Sequence, residues 1–88
     1  MSIKYSLKKP FQFGAEYISE LNISEPKSKH LRKLPVDTKS WTFEHIIDLV
    51  VSISNEPTSK IDMLSIQDLN GIMEVVGPFL EDSQEIGN

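Results

Sequence analysis

Two histidines, thirteen carboxylates and no cysteine make up most of the reactive inventory of this 88-residue chain. His30 and His45 share no repeated spacing and have no thiolate to complete a metal set, so they read as solvent-exposed side chains rather than ligands. None of the serines stands in a G-x-S-x-G elbow, and the carboxylates form no recognisable catalytic pair. Glycines at 14, 71, 77 and 87 are scattered rather than gathered into a loop that could cradle phosphate. The expectation is a protein that is not an enzyme and that uses no cofactor and no metal.

What the chain does concentrate is charge. Lys27, Lys29, His30, Arg32 and Lys33 crowd one short stretch. Residues 1–33 carry a net charge of +4 and residues 34–88 a net charge of −8, within a total of −4. Such segregation suits steering of an oppositely charged partner or head-to-tail self-association, although two differently solvated faces would also produce it. Phosphate neutralisation by a basic cluster is the usual source of affinity for nucleic acid. Here no aromatic is interleaved for base stacking and the rest of the chain is acidic, which argues against nucleic acid. Lys27, Lys29, Arg32 and Lys33 therefore read as a solvated basic face, or as an electrostatic dock for an acidic protein helix.

The elements that must carry these residues follow from periodicity. Ile3, Tyr5 and Leu7 alternate with Lys4, Ser6 and Lys8, the period of a strand with one apolar face. Phe11 and Phe13 keep that parity, so the strand resumes after Pro10, which cannot donate to a ladder and belongs at a bulge or an open edge. Gly14 supplies the positive φ of a hairpin turn. On the return strand Tyr17, Leu21 and Ile23 share a face, with Ser19 the polar exception.

At Pro26 the period changes from 2 to about 3.6. Its fixed φ and missing N–H suit a first helical turn, Leu31 and Leu34 follow one turn apart, and Pro35 ends the helix. Ser40 or Thr42 caps the next helix. Phe43, Ile46, Ile47, Leu49, Val50, Val51 and Ile53 leave that helix only a narrow wet stripe, so it is central to the fold or covers a partner. After Asn55-Glu56-Pro57, Thr58 or Ser59 opens a short turn through Met63.

Ser65 caps the last helix, with Asp68 three residues on, where a carboxylate suits the dipole. Leu64 and Leu69 have the spacing of a hydrophobic staple, and Ile66, Leu69, Ile72, Met73, Val76, Phe79 and Leu80 form the apolar stripe. Gly77-Pro78 is expected to break the final turn and splay Phe79-Leu80 away from it. The result is an α+β fold, an N-terminal β-hairpin packed against about three α-helices in ββααα order. Residues 1–80 form one domain and residues 81–88 an acidic flexible C-terminal tail.

Large side chains at helical spacing ordinarily mean core. Trp41, however, stands in a connector, and Trp and Met are favoured at adaptable interfaces. If the domain has a partner groove, Trp41, Met73, Phe79 and Leu80 are its candidate margins. The longest apolar run falls short of the ~20 residues that span a bilayer, and no basic segment precedes an apolar one at the N-terminus. The expectation is a cytoplasmic protein with no membrane partner.

One order of motifs runs through these elements. Lys9-Pro10-Phe11, Gly14, Tyr17 and Glu20-Leu21-Asn22-Ile23 come first, then Glu25-Pro26 with Leu31-Arg32-Lys33-Leu34. Leu64-Ser65-x-x-Asp68-Leu69 follows, with Ile72, Val75-Val76 and Phe79-Leu80. Over roughly residues 7 to 80 this order resembles the small tail assembly chaperones of Mu-like and P2-like contractile-tailed bacteriophages. The sequence departs from the pattern at Lys27 to His30, where small or acidic residues are expected. The resemblance implies a chaperone, made in the bacterial host, that binds the long helical tape-measure protein and keeps it soluble until the tail tube polymerises. A small phage-encoded nucleic-acid-binding regulator and a structural tail subunit are the alternatives.

Overall fold

A computed structural model describes the backbone of residues 2–86 and the side chains through residue 80. Its two strands, β1 (Ser2–Phe13) and β2 (Glu16–Ser24), form an antiparallel hairpin that is the whole sheet. They are joined by Gly14-Ala15, and Gly14 has φ +60°, a conformation open to glycine at no steric cost. Four helices follow: α1 (Ser28–Leu31), α2 (Phe43–Ser54), α3 (Thr58–Ile61) and α4 (Ile66–Ile86). A 3-10 turn, Thr38–Ser40, lies between α1 and α2. The α+β class holds, with the short turn after Pro57 counted as a helix of its own.

The hairpin is irregular where Pro10 requires it. Ser2 to Ser6 pair with Ser24 to Glu20, and Phe11 to Phe13 pair with Ile18 to Glu16, so Leu7 to Pro10 stand opposite Ser19 alone. This bulge changes the phase of β2 as well. Leu21 and Ile23 are buried, as alternation requires, but beyond Ser19 it is Ile18 that is buried while Tyr17 is 66% exposed. The shared face of Tyr17, Leu21 and Ile23 is thus corrected. The polar Ser19 in that series marked the bulge.

The inner face of the hairpin carries the helices. α2 packs on β2, α4 on β1, and α1 and α3 flank α2, which makes α2 the central helix. The core joins Leu7, Ile18, Leu21 and Ile23 from the sheet to Leu49, Val50 and Ile53 of α2. Ile61 from α3 and Leu69, Ile72, Val76 and Leu80 from α4 complete it. Two expected core residues lie outside: Phe43 is 57% exposed and Ile66 is 64% exposed, each at the first position of its helix.

The helix boundaries bring two more corrections and decide one alternative. Pro26 is buried and precedes the first helix; Lys27 is its N-cap and α1 is a single turn. Of the two caps offered for α2, Thr42 acts: its hydroxyl accepts the His45 N–H. Pro78 does not end α4, which continues through it to Ile86. Glu74 and Pro78 are both exposed, so the carbonyl that loses its N–H partner faces water, and the break is avoided. The expected flexible tail over 81–88 concerns side chains beyond residue 80 and residues 87–88, which lie outside the described residues.

Candidate functional site

The densest polar constellation lies between the hairpin and α4. Asp68 has no exposed surface. Its Oδ1 accepts the Lys8 N–H at 2.7 Å and the Tyr5 hydroxyl at 3.3 Å. Its Oδ2 accepts the Lys9 N–H at 3.0 Å and the Ser65 hydroxyl at 3.0 Å. Ser65 Oγ in turn accepts the Asp68 N–H at 3.1 Å, the capping bond expected at this helix start. The carboxylate therefore satisfies two backbone donors that the bulge removed from the ladder.

Burial pushes the Asp68 carboxyl up, but the Lys8 and Lys9 amides and the Ser65 and Tyr5 hydroxyls together hold it below the usual carboxylate value. Burial, and then the Asp68 charge, push the Tyr5 phenol up. A carboxylate engaged by four donors is a poor general base. This arrangement is a structural clamp rather than a catalytic pair. The sequence suggested Asp68 only as a helix-start charge; its reach to β1 required the tertiary fold.

Both histidines also have structural tasks. His30 and His45 occupy the third positions of α1 and α2. His30 Nδ1 accepts the Lys27 N–H at 2.8 Å, and His45 Nδ1 accepts the Thr42 N–H at 3.0 Å. Each ring does what Glu or Gln does in a capping box. Burial, with Lys29 and Lys27 nearby, holds the His30 imidazole below its usual value. Among the described residues, no group of three or more His, Cys, Asp or Glu side chains could hold a metal ion.

The basic cluster lines an open groove of about 750 Å³ between α1 and α2. Lys29, His30, Arg32, Lys33 and Leu34 form one wall, and Asp48, Leu49, Val51 and Ser52 the other. A second hollow of about 520 Å³ continues it past Lys27 toward Ser2 and Ser24. Lys27, Lys29, Arg32 and Lys33 are thus brought to one place, and all four are exposed.

The apolar candidates are not gathered in this way. Trp41 is half-buried, its Nε1–H donating to the Pro35 carbonyl at 2.9 Å. Leu80 is 5% exposed and belongs to the core, while Met73 and Phe79 are half-buried. Six residues apart on α4, Met73 and Phe79 lie about 120° apart around the helix, on opposite flanks of the buried stripe. Sequence reasoning missed the apolar side chains that are most exposed. Val36 is 77% exposed beside Trp41 in the connector, and Phe43 follows at the start of α2. Ile47 and Val51, both half-buried, continue from Phe43 along the same helix flank at i+4 and i+8. Tyr17, Met63 and Ile66 are exposed as well.

The family described as "Phage tail assembly chaperone proteins, E, or 41 or 14" matches residues 4–81. This chain belongs to the phage tail assembly chaperone family. The match covers β1 from residue 4 onward, all of β2, the four helix starts and the Asp68 clamp. Comparison with curated proteins and with solved structures gives no match. A tail assembly chaperone points to a non-enzymatic role and to a tail protein as partner. Among the described residues, no helix of this chaperone is long and apolar enough to cross a membrane.

Proposed function

We propose that this chaperone binds the helical tape-measure protein in the host cytoplasm and keeps it soluble while the tail tube assembles. A long amphipathic chain without its tube exposes apolar stripes that promote aggregation. A small domain can cover such a stripe by a helix-in-groove contact, and many copies along one chain add avidity while each stays displaceable. The observation that carries this reading, beside the family, is the pair of exposed apolar side chains Val36 and Phe43 with half-buried Trp41 between them in sequence, a run that continues along α2 through half-buried Ile47 and Val51. Trp41 supplies a rigid anchor there. Met73 and Phe79 remain secondary candidates on the flanks of α4. Buried Leu80 supports that surface from beneath.

A DNA-binding regulator finds little support in the geometry. The basic residues sit on a four-residue helix and its flanks, far shorter than a helix that lies along a major groove. The test is co-expression with the tape-measure protein from the same tail gene cluster, followed by size-exclusion chromatography. Several copies should co-elute with a tape measure that is insoluble alone. A tape measure that precipitates while this protein elutes unchanged would overturn the proposal.

A further inference from the structure

The exposed apolar run and the basic cluster meet at one residue. Val51 ends the run that begins at Phe43, about 12 Å back along α2, and it also lines the groove between α1 and α2. Leu34, on the other wall of that groove, lies two residues before Val36. The two features are therefore one continuous surface, apolar at the start of α2 and cationic beside α1. Lys29, Arg32 and Lys33 stand exposed in the groove, and Lys27 lines the hollow that continues it. Among the described residues none of these four forms an ion pair. They outnumber the two carboxylates lining the same hollows, Glu25 and Asp48, on a chain whose net charge is −4.

A partner segment that covers both parts must offer an apolar stripe and, at one end of it, carboxylates. We propose that the α1/α2 groove selects amphipathic helical client segments with a cluster of Glu or Asp about eight residues from the first apolar anchor. This rests on the reading of the tape-measure protein as client, and adds which of its segments are held and which way round. Burial of the stripe gives affinity, while the charges steer the segment and fix its direction. A segment laid in reverse would bring its carboxylates beside Asp37 and Glu44, which outnumber Lys39 there. Exposed ion pairs are individually weak and screened by salt, so each contact stays displaceable. A nucleic acid would meet the cations but leave Leu34 and Val51 uncovered, and no Phe, Tyr or Trp lines the groove for stacking.

The test is fluorescence anisotropy of the full chain with labelled tiles of about 20 residues, about 30 Å as helices, that cover the tape-measure protein of the same tail gene cluster. Tiles that bind should carry the stripe with carboxylates at one end. Their affinity should fall about tenfold or more between about 0.05 M and about 0.5 M salt, as screening shortens. A K29E/R32E/K33E variant, its fold checked by circular dichroism, should lose the same tiles about tenfold or more at low salt. A tile remade with Lys for its carboxylates should prefer that variant to wild type. Should the variant fail to fold, tiles with Gln for Glu and Asn for Asp decide on wild type, where they should bind about tenfold more weakly. Tiles that bind independently of salt and of both charge changes, yet are lost by V36S/F43S, overturn the groove proposal and leave the client reading standing. Tiles lost by the charge reversal but kept by V36S/F43S support the groove and remove the apolar run from the client surface. Failure of every tile to bind overturns both. A single-stranded oligonucleotide that binds more tightly than any tile and displaces them makes the groove a nucleic-acid site and overturns the proposal.

Discussion

A carboxylate with no exposed surface has to find its hydrogen bonds inside the protein, and Asp68 finds four. Asp68→Asn keeps the shape but exchanges one acceptor oxygen for a donor, leaving amides of the bulge without a full partner. A loss of about 2–4 kcal/mol in chemical denaturation is expected, more than a typical surface change. The pH dependence has a definite sign. Because the folded-state pKa lies below the usual value of 3.8, the unfolded chain binds the proton more readily. The contribution of Asp68 is complete above that value and decays as pH falls through the lower folded one. Acid titration of wild type against D68N should show this component only in wild type.

Gly71 is the other decisive residue. A Cβ there would collide with the Tyr5 hydroxyl and lie 2.9 Å from the ring carbon that bears it. Alanine ordinarily improves a helix by about 1 kcal/mol over glycine. At this site the clash displaces Tyr5 from Asp68, so Gly71→Ala should destabilise, by about 1–3 kcal/mol. A Gly71→Ala variant more stable than wild type would remove Gly71 from the clamp.

At the scale of elements, much of the fold was legible because local chemistry and tertiary packing agreed. The alternation of β1, the Gly14 turn, the Thr42 cap and the Ser65 helix start each follow from nearest neighbours in sequence. The misjudged points depended on partners distant in the chain or on solvent. The β2 phase followed from a bulge whose amides are held by a residue about sixty positions away. Pro78 was tolerated because its helix face meets water. Of the site residues, the basic cluster could be read as a unit because it is contiguous. The apolar surface could not, because exposure at Val36 and Phe43 is decided by which helix faces the packing consumes.

The two helix starts capped by histidine carry a prediction of their own. An imidazole accepts through Nδ1 only while that nitrogen is unprotonated. Protonation would turn it into a donor facing the Lys27 amide and place a cation at the positive end of a helix. With its folded pKa lowered, His30 contributes fully above the ordinary histidine value of 6.5, and that contribution is lost as pH falls below it. His30→Glu retains an acceptor at the third position and adds a favourable charge. Thermal unfolding between pH 8 and pH 5.5 should therefore show a smaller decline in H30E than in wild type. Equal declines would mean that the cap is not titrating.

For the whole molecule, function and stability should separate along the line between exposed and buried apolar groups. An 88-residue domain has a small core, and the twelve hydrophobic side chains buried among the described residues carry most of its stability. Leu80, at 5% exposure, is one of them, so Leu80→Ala should cost about 2–5 kcal/mol and impair the chaperone by unfolding it. Val36 and Phe43 are more than half exposed, and serine at either position removes little buried surface. A Val36→Ser/Phe43→Ser variant should keep its stability within about 1 kcal/mol of wild type and still lose the ability to hold the tape-measure protein in solution. The contrast can be read in one co-expression experiment with a thermal melt beside it. If the exposed pair were ordinary surface, the double variant would retain the tape measure as well as wild type does, and the partner surface would have to be sought on α4. If it loses the tape measure at an unchanged melting temperature, the connector and the flank of α2 are where this domain covers its client.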